Sequence, residues 1–393
     1  MKNLIKTILN RTPLGSLQLK HDKARLITAL SGIAFADILI FMQLGFLGAL
    51  NESGVLLHRK LKADLVIMNP QALNWSELST FPRRRLYQAK DVPGVASAEE
   101  LYINSIQWKN PQTNQKTSIM VVGMDVDRSA FNFPEVNQNI DKIKRPDTFL
   151  FDRASRGEYA EAIAAHEQGQ TITTEIERRT ITVGGLFSLG ASFGTDATLI
   201  SSEQNFLRLF PKRQSGTVSL GLIQLQPNAD ITQVKNALNS RLSGLDDVRV
   251  MTKEEFIDFE QAYWAKNRPV GVVFGFGTVI GFIVGIVIVY QILSTDVNDH
   301  LPEYATFKAM GYRNSYLLGI VFEEAIILAV CGFIPGVGIS LLLYNRARLA
   351  TALPMYLTLL RALGVFIATL LMCTVSGAIA TRKLHSADPA DIF

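Results

Sequence analysis

The sequence predicts an α-helical membrane protein with four transmembrane helices and a large α+β domain inserted between the first and second. Mean hydropathy is +0.18 and 48% of the 393 residues are hydrophobic, more than a soluble enzyme of this length usually carries. A bilayer core of about 30 Å needs about 20 consecutive apolar residues to cross it. Four segments satisfy this: 26–50, 270–295, 315–344 and 359–381. The 219 residues of 51–269 are polar and form the inserted domain.

The second span is the clearest of the four, because no charged residue occurs from Val270 to Thr295. The first span contains Asp37, the third Glu323 and Glu324, and the fourth Arg361 at its edge. Ionisable residues inside spans are costly and mark interior positions. We expect the two glutamates either to pack and transmit force or to be solvated at the end of the span. Asp37 either pairs with a neighbouring helix or is protonated.

Basic residues orient the chain. Six of them precede the first span against the single acid Asp22, which predicts a cytoplasmic N-terminus. Four spans then place the tail, 382–393, on the same side, and the short loop 345–358 outside. Three arginines that flank this loop disagree with the rule: Arg346, Arg348 and Arg361. A cleaved signal peptide is the alternative for the first span, but its apolar run is longer than the usual 7–15 residues.

The inserted domain has 26 basic and 26 acidic residues, so its charge gives no reason to expect a nucleic-acid partner. The two cysteines, Cys331 and Cys373, lie in predicted spans, where we expect buried packing. Neither zinc nor iron–sulfur spacing occurs. We therefore expect no metal, no cofactor and no catalytic residues on this chain.

Residues 1–25 resemble an amphipathic segment at the inner membrane surface, with a disordered basic tail as the alternative. The α+β character of 51–269 follows from a predicted helix at 230–242 and from short runs of β-branched and apolar residues. These strands are 64–68, 117–123, 148–151, 171–175, 180–184, 217–226 and 248–251. A second, smaller lobe could comprise 170–186 with 197–201.

A stalk helix is predicted at 253–269. Thr252 and Glu255 have capping-box spacing, in which each side chain accepts a hydrogen bond from the other residue's backbone N–H. Tyr263 and Trp264 suit a membrane interface, and Pro269 could kink the connection to the second span.

Glycines recur every four residues in the second span. Small residues on one helix face allow close helix approach in lipid. The sequence leaves open whether this face packs within one bundle or against a second copy of the chain. The two series are Gly271 and Gly275, and Gly277, Gly281 and Gly285.

A short helix is predicted in the loop 296–314, with Pro302 in its first turn and Gly311 after its end. Two helical turns are unstable alone, so it must rest on the bundle or on a partner. Its candidate coupling residues are Glu303, Tyr304, Thr306, Phe307, Lys308, Ala309, Met310 and Gly311.

This short helix is similar to the coupling helix of FtsX/MacB-type (type VII) ABC transporter permeases, which share a Glu and a Lys-Ala-x-Gly ending. The Glu324-Ala325 pair, the basic Arg382-Lys383 and the Asp-Pro-Ala tail at 388–390 also resemble that family. Ala380 replaces a proline often found before the basic stretch. The segments Ser31–Ala36 and Phe41–Phe46 resemble the DevC-type permeases of cyanobacterial heterocyst glycolipid export.

The resemblance implies an inner-membrane homodimer with a periplasmic domain, driven by a separate ABC ATPase subunit that binds ATP and Mg²⁺. The absence of a G-x-x-x-x-G-K-[ST] motif from this sequence fits that arrangement. The implied mechanism is mechanotransmission within a tripartite exporter of an amphiphilic, glycolipid-like cargo. The implied further partners are a periplasmic membrane-fusion adaptor and an outer-membrane TolC-like duct. An FtsX-like regulator of cell-wall hydrolases is the alternative function. A two-span sensor is disfavoured, because no cytoplasmic domain follows the second span.

Overall fold

A computed structural model describes residues 23–176, 179–214, 216–242, 246–267 and 269–382. The chain divides into two compact units. The membrane unit comprises Met1–Gly48, Val272–Ala347 and Met355–Phe393, and the external unit comprises Ala49–Gly271 and Arg348–Pro354. The predicted amphipathic segment up to residue 22 and the tail from residue 383 lie outside the described residues.

The elements follow one another in this order: α1 (Lys23–Gly54), α2 (Leu56–Lys60), β1 (Leu65–Met68), β2 (Phe81–Pro82), α3 (Arg84–Lys90), β3 (Val95–Lys109), β4 (Lys116–Met124), α4 (Pro134–Gln138), a 3₁₀ turn (Ile140–Lys144), β5 (Thr148–Asp152), α5 (Ala160–Glu167), β6 (Ile172–Ile176), β7 (Arg179–Phe187), β8 (Ala197–Ser202), α6 (Glu203–Leu209), β9 (Thr217–Val218), β10 (Leu220–Leu225), α7 (Ile231–Arg241), β11 (Arg249–Thr252), α8 (Lys253–Lys266), α9 (Pro269–Asp299), α10 (Leu301–Ala309), α11 (Asn314–Thr351) and α12 (Leu359–Ala380).

Four helices of the described chain are long and apolar enough to cross a membrane: α1, α9, α11 and α12. An α+β domain lies between the first and second of them in sequence, so the predicted fold class is confirmed. The helices α1, α9 and α11 contain their predicted spans and extend beyond them, whereas α12 ends at Ala380, one residue before the predicted end. The largest difference is at α11, which continues to Thr351, through the first half of the predicted loop 345–358.

The end of that connection belongs to the external unit. Arg156 Nε donates to the carbonyl oxygen of Thr351 at 2.9 Å, while its Nη1 pairs with Asp196 at 3.1 Å. Ala352 then adopts a φ of 53°, a left-handed conformation that is uncommon for residues other than glycine. The sequence gives no local signal for this contact between Arg156 and Thr351.

The external unit is built on one nine-stranded mixed sheet, with the strand order β11-β1-β10-β3-β4-β8-β5-β7-β6. Successive side chains of a strand point to opposite faces. In β1, Leu65 and Ile67 accordingly enter one buried cluster, whereas Val66 and Met68 enter the other. Apolar residues of the helices and loops cover both faces, so the strands read as continuous apolar runs rather than alternating ones.

Most predicted strands are present within one or two residues of their expected ends. Two expectations changed. The segment 217–226 contains two strands, β9 and β10, separated at Ser219. The strands assigned to a second lobe, β6, β7 and β8, lie in the same sheet as β1. The longest strand, β3, was missed because Ala96–Glu100 contains helix-favouring residues, and its pairing with β10 and β4 is non-local.

The predicted capping box at the start of α8 is confirmed. Thr252 Oγ1 accepts from the Glu255 N–H at 3.1 Å, and a Glu255 carboxylate oxygen accepts from the Thr252 N–H at 2.8 Å. This helix ends at Lys266, and α9 begins at Pro269. The proline thus occupies the first position of a new helix, where its missing N–H costs nothing.

The two cysteines differ. Cys373 is buried among the helices of the membrane unit, whereas Cys331 is exposed on the surface of α11. The prediction of buried packing is therefore right for Cys373 and wrong for Cys331.

Candidate functional site

The short helix α10 ends in a Schellman motif. The Gly311 N–H donates to the Lys308 carbonyl oxygen and the Tyr312 N–H to that of Phe307, both at 3.1 Å. Gly311 has a φ of 89°, which glycine adopts at little cost. The Phe307 and Tyr312 rings lie 5.5 Å apart and supply the apolar contact typical of this motif. Local sequence thus defines the end of the helix.

One face of α10 is buried in the membrane unit. Tyr304 is 2% exposed and Ala305 is 5% exposed. Both side chains belong to the side that faces α9 and α11. The apolar cluster around Tyr304 contains Val297 of α9 and Leu317, Ile320 and Val321 of α11. Two predicted coupling residues, Tyr304 and the half-buried Phe307, therefore join the helix to the bundle.

The opposite face of α10 is open. It carries Glu303, Thr306, Ala309 and Met310, at the three- and four-residue spacing of a single helix face. Met310 is 61% exposed. His300 Nδ1 lies 3.2 Å from a carboxylate oxygen of Glu303. The helix thus combines a fixed apolar side with an accessible polar side.

A charged cluster joins three spans at the same end of the bundle as α10. Arg25 of α1 pairs with Asp296 of α9 at 3.1 Å and also with Asp299. Glu324 of α11 is fully buried and lies next to the carboxyl group of Asp296. A buried charge is stable only when other groups compensate it. Arg25 therefore links α1 to α9, and Glu324 brings α11 to the same point.

The two predicted glutamates occupy different environments. Glu324 is buried inside this cluster, whereas Glu323 is partly exposed. For Glu324 the packing alternative therefore describes its position, and for Glu323 the solvated alternative remains open.

Asp37 pairs with a neighbouring helix. Its buried carboxylate accepts a hydrogen bond from Thr369 Oγ1 of α12 at 2.6 Å. A Cβ placed on Gly336 of α11 would lie 3.0 Å from the Asp37 Cβ. The absence of a side chain at Gly336 thus makes room for Asp37 between α1, α11 and α12.

The glycines of the two series in α9 have different neighbours, depending on their position along the helix. A Cβ on Gly281 would lie 3.2 Å from Ile40, and one on Gly277 would lie 2.5 Å from Gln43, both on α1. A Cβ on Gly285 would clash with Met372 and contact Ala36. These three glycines face helices of their own chain, which is the packing alternative. A Cβ on Gly275 would meet no atom within 4 Å, and one on Gly271 would meet the backbone of the preceding helix.

A second buried polar cluster lies in the external unit, between α2 and the stalk helix α8. Glu260 accepts from the Trp75 N–H at 2.7 Å and from Trp264 Nε1 at 2.8 Å. His58 Nε2 lies 3.7 Å from its carboxylate. Burial raises the pKa of Glu260 to about 7 and lowers the pKa of His58 to about 3. Trp264, which the sequence predicts for the membrane interface, donates to this carboxylate.

Sequence reasoning missed Arg25, Asp296, Thr369, His58 and Glu260 as site residues. Asp296 and Asp299 lie three residues apart at the end of an apolar run, and Arg25 begins another one. Opposite charges at the same end of two spans are a usable signal for pairing. The His58–Glu260 contact joins residues about 200 positions apart and has no such signal.

Among residues with described side chains, no group of three His, Cys, Asp or Glu is arranged to hold a metal ion. Of the buried acids in the membrane unit, Asp37 accepts a hydrogen bond from Thr369 of α12, and Glu324 lies next to Asp296 of α9. What the geometry offers is a short helix with one anchored and one exposed face, fixed to spans that continue into an external domain. These features define a multi-pass membrane protein with a short, partly exposed helix between its second and third long apolar helices.

Residues 275–389 match the family model described as FtsX-like permease C-terminal. The matched part contains most of α9 and all of α10, α11 and α12. No curated protein matches the chain.

Several solved structures are similar to part of the chain. The periplasmic region of MacB from Actinobacillus actinomycetemcomitans is 14% identical, with a TM-score of 0.35, and the match covers 51% of this chain and 94% of that one. The extracellular domain of the noncanonic ABC-type transporter YknZ from Gram-positive bacteria is 12% identical, with a TM-score of 0.32 and coverage of 48% and 99%. A domain of a putative permease from Porphyromonas gingivalis is 13% identical, with a TM-score of 0.31 and coverage of 49% and 88%.

Proposed function

We propose that this chain is the permease subunit of an ATP-driven exporter that works by mechanotransmission, as a homodimer with a separate ABC ATPase. The observation that carries the proposal is α10, which is anchored through Tyr304 and exposed through Glu303, Thr306 and Met310. A subunit that binds the exposed face can move α9 and α11 through the buried one.

Two features favour the transmission of movement through the helices over transport of the cargo through a pore. The cluster of Arg25, Asp296 and Glu324 ties α1, α9 and α11 together beside α10. The chain of α1 continues directly into α2, and α9 follows the stalk helix α8. Displacement of α10 therefore acts on spans whose other ends lead into the external unit. ATP and Mg²⁺ would bind to the partner ATPase, and no step of hydrolysis is assigned to this chain.

The finer assignment follows the DevC-like segments of α1. In this proposal the termini and α10 are cytoplasmic, the membrane is the inner membrane, and the external unit is periplasmic. The cargo is an amphiphile of the glycolipid type, taken up on the periplasmic side. A membrane-fusion adaptor and a TolC-like outer-membrane duct complete the exporter. Copurification of the complex and identification of its bound lipids tests this assignment.

Charge reversal on α10 tests the coupling. The full chain and its ATPase are reconstituted in nanodiscs, and ATPase stimulation by the permease is measured. Glu303→Arg changes an exposed side chain, so folding should be preserved while stimulation falls at least about tenfold, because like charges at an interface are costly. Lys308→Glu should act in the same direction.

Glu158→Arg is the matched control, because Glu158 is an exposed acid of the external unit. It should leave stimulation at the level of the unmodified chain. Full stimulation by a normally expressed Glu303→Arg variant would show that α10 is not the attachment site.

A further inference from the structure

A cleft in the external unit has a volume of about 450 Å³ and opens beside the segment that joins α6 to β9. One part of its wall is apolar, from Leu78, Ile103 and Phe210, and another part carries Lys212 and Arg213. Small-molecule sites are typically concave, mostly apolar and about 300–1,000 Å³ in volume, with few polar groups. The cleft therefore has the size and mixed lining of a ligand site.

Arg213 is held rigidly at the edge of the cleft. Its Nη2 donates to the buried Ser219 Oγ at 2.9 Å, and its Nε to the Thr217 carbonyl oxygen at 3.4 Å. Its guanidinium carbon lies 5.2 Å from the centroid of the Tyr102 ring and 5.4 Å from that of Phe206. Cation–π contacts of this kind fix the plane of the guanidinium. An arginine positioned in advance loses little side-chain entropy when it binds an anion.

The charge of Arg213 is not balanced by a bonded acid. In the described parts of the chain, no carboxylate pairs with this guanidinium, and burial lowers its pKa. The nearby acids are engaged elsewhere. Glu100 and Glu203 both pair with Arg83, and Glu203 also accepts from the Tyr102 hydroxyl at 2.8 Å.

Lys212 adds a second cation. Its side chain is exposed, and no ion pair to it occurs among the residues that the structure describes. Of the residues that line the cleft, the charged ones are Lys212 and Arg213, and both are cations. The cleft is thus locally positive in a domain whose residues 51–269 carry no net charge.

We propose that this cleft binds the anionic head group of an amphiphile, with a phosphate or carboxylate against Arg213 and Lys212 and the adjoining apolar part against Leu78, Ile103 and Phe210. Planar guanidinium groups match these anions. A concave volume of about 450 Å³ favours a small head group over a protein surface. This inference rests on the proposed function, which identifies the ligand as the cargo. It adds that the head group of the cargo is negatively charged.

Binding is measured by calorimetry on the full chain in zwitterionic nanodiscs, without ATPase. The probe is dihexanoyl phosphatidic acid, and the neutral-head control is dihexanoyl phosphatidylcholine. We expect the anionic probe to bind, and Arg213→Gln to weaken it about tenfold, the value of one hydrogen bond to a charged group. Lys212→Gln, at an exposed position that does not affect folding, should weaken it by a smaller factor. Unchanged affinity in both variants would overturn the proposal.

Two further arms identify the ligand. Inorganic phosphate should bind more weakly than the amphiphilic probe, because it leaves the apolar wall uncovered, and so should a hexaglutamate peptide. Equal or tighter binding of either would overturn the assignment to an amphiphile. Because no ATPase is present, failure here is distinct from failure of the coupling experiment with Glu303→Arg.

Discussion

Arg25 Nη1 lies 3.1 Å from a carboxylate oxygen of Asp296, a contact between residues 271 positions apart in sequence. It joins the start of α1 to the last turns of α9, beside the fully buried Glu324. Two neighbouring carboxyl groups repel each other when both are ionised. The arginine therefore supplies a positive charge beside this buried pair of carboxyl groups and links α1 to α9.

The first prediction follows from this arrangement. Arg25→Gln should lower the free energy of unfolding by about 1–2 kcal/mol, since it removes a charge-assisted hydrogen bond next to buried acids. Glu324→Gln in the same chain should restore part of the loss, because it removes one of the two acids that share the buried site with Arg25. The thermal midpoints of the single and double variants in detergent form a double-mutant cycle. Additive losses would contradict a shared cluster.

The second prediction concerns the helix face that carries Gly281. Gly281→Val should cost about 1–3 kcal/mol through overpacking, because a Cβ there would already lie 3.2 Å from Ile40. Gly275→Val is the matched control on the same helix, since its Cβ would meet open space. Thermal unfolding of the two variants should differ accordingly. Equal midpoints would show that Gly281 does not face α1.

The third prediction concerns the end of α10. Gly311→Ala should cost about 1 kcal/mol, because an L-residue is strained at the φ of 89° that Gly311 adopts. The substitution destabilises the Schellman motif that ends α10. Hydrogen exchange of residues 301–309 should therefore become faster, and ATPase stimulation should decrease. Gly275→Ala, within a regular helix, should leave both unchanged. Unaltered exchange in α10 of the Gly311 variant would contradict a role for the left-handed cap.

Features encoded locally could be predicted from this sequence, and features made by distant pairs could not. Span lengths, the Thr252–Glu255 box and the glycine after α10 are local, so their positions follow from spacing and propensity. The strand β3 contains Ala96–Glu100, which favours helix by composition, and becomes extended through its neighbours in the sheet.

The same distinction applies to the candidate site. The α10 helix was visible as a motif, but which of its residues are buried depends on α11. Gly277 faces Gln43 of α1 because of how α9 is rotated about its own axis. A repeat of glycines in the sequence does not specify that rotation. The contacts of Arg25 with Asp296 and of His58 with Glu260 exist only once the chain is folded.

The fourth prediction concerns pH and the pair formed by His58 and Glu260. Burial raises the pKa of Glu260 from 4.5 to about 7. Its protonated form is therefore favoured by folding, and its contribution to stability is lost as pH rises from about 4.5 through 7. Burial lowers the pKa of His58 from 6.5 to about 3. Its contribution is present above 6.5 and is lost as pH falls toward 3.

Between pH 5.5 and 8 these two effects oppose each other, so the unmodified chain should show little change in midpoint. Glu260→Gln leaves the histidine effect alone, and its stability should rise with pH by about 1 kcal/mol over this range. His58→Gln leaves the carboxyl effect, and its stability should fall by about 2 kcal/mol. Trp75 and Trp264, which both donate to Glu260, report the transition by fluorescence. Slopes of the same sign in the two variants would show that the pair does not titrate in this way, whatever the absolute loss of stability in each.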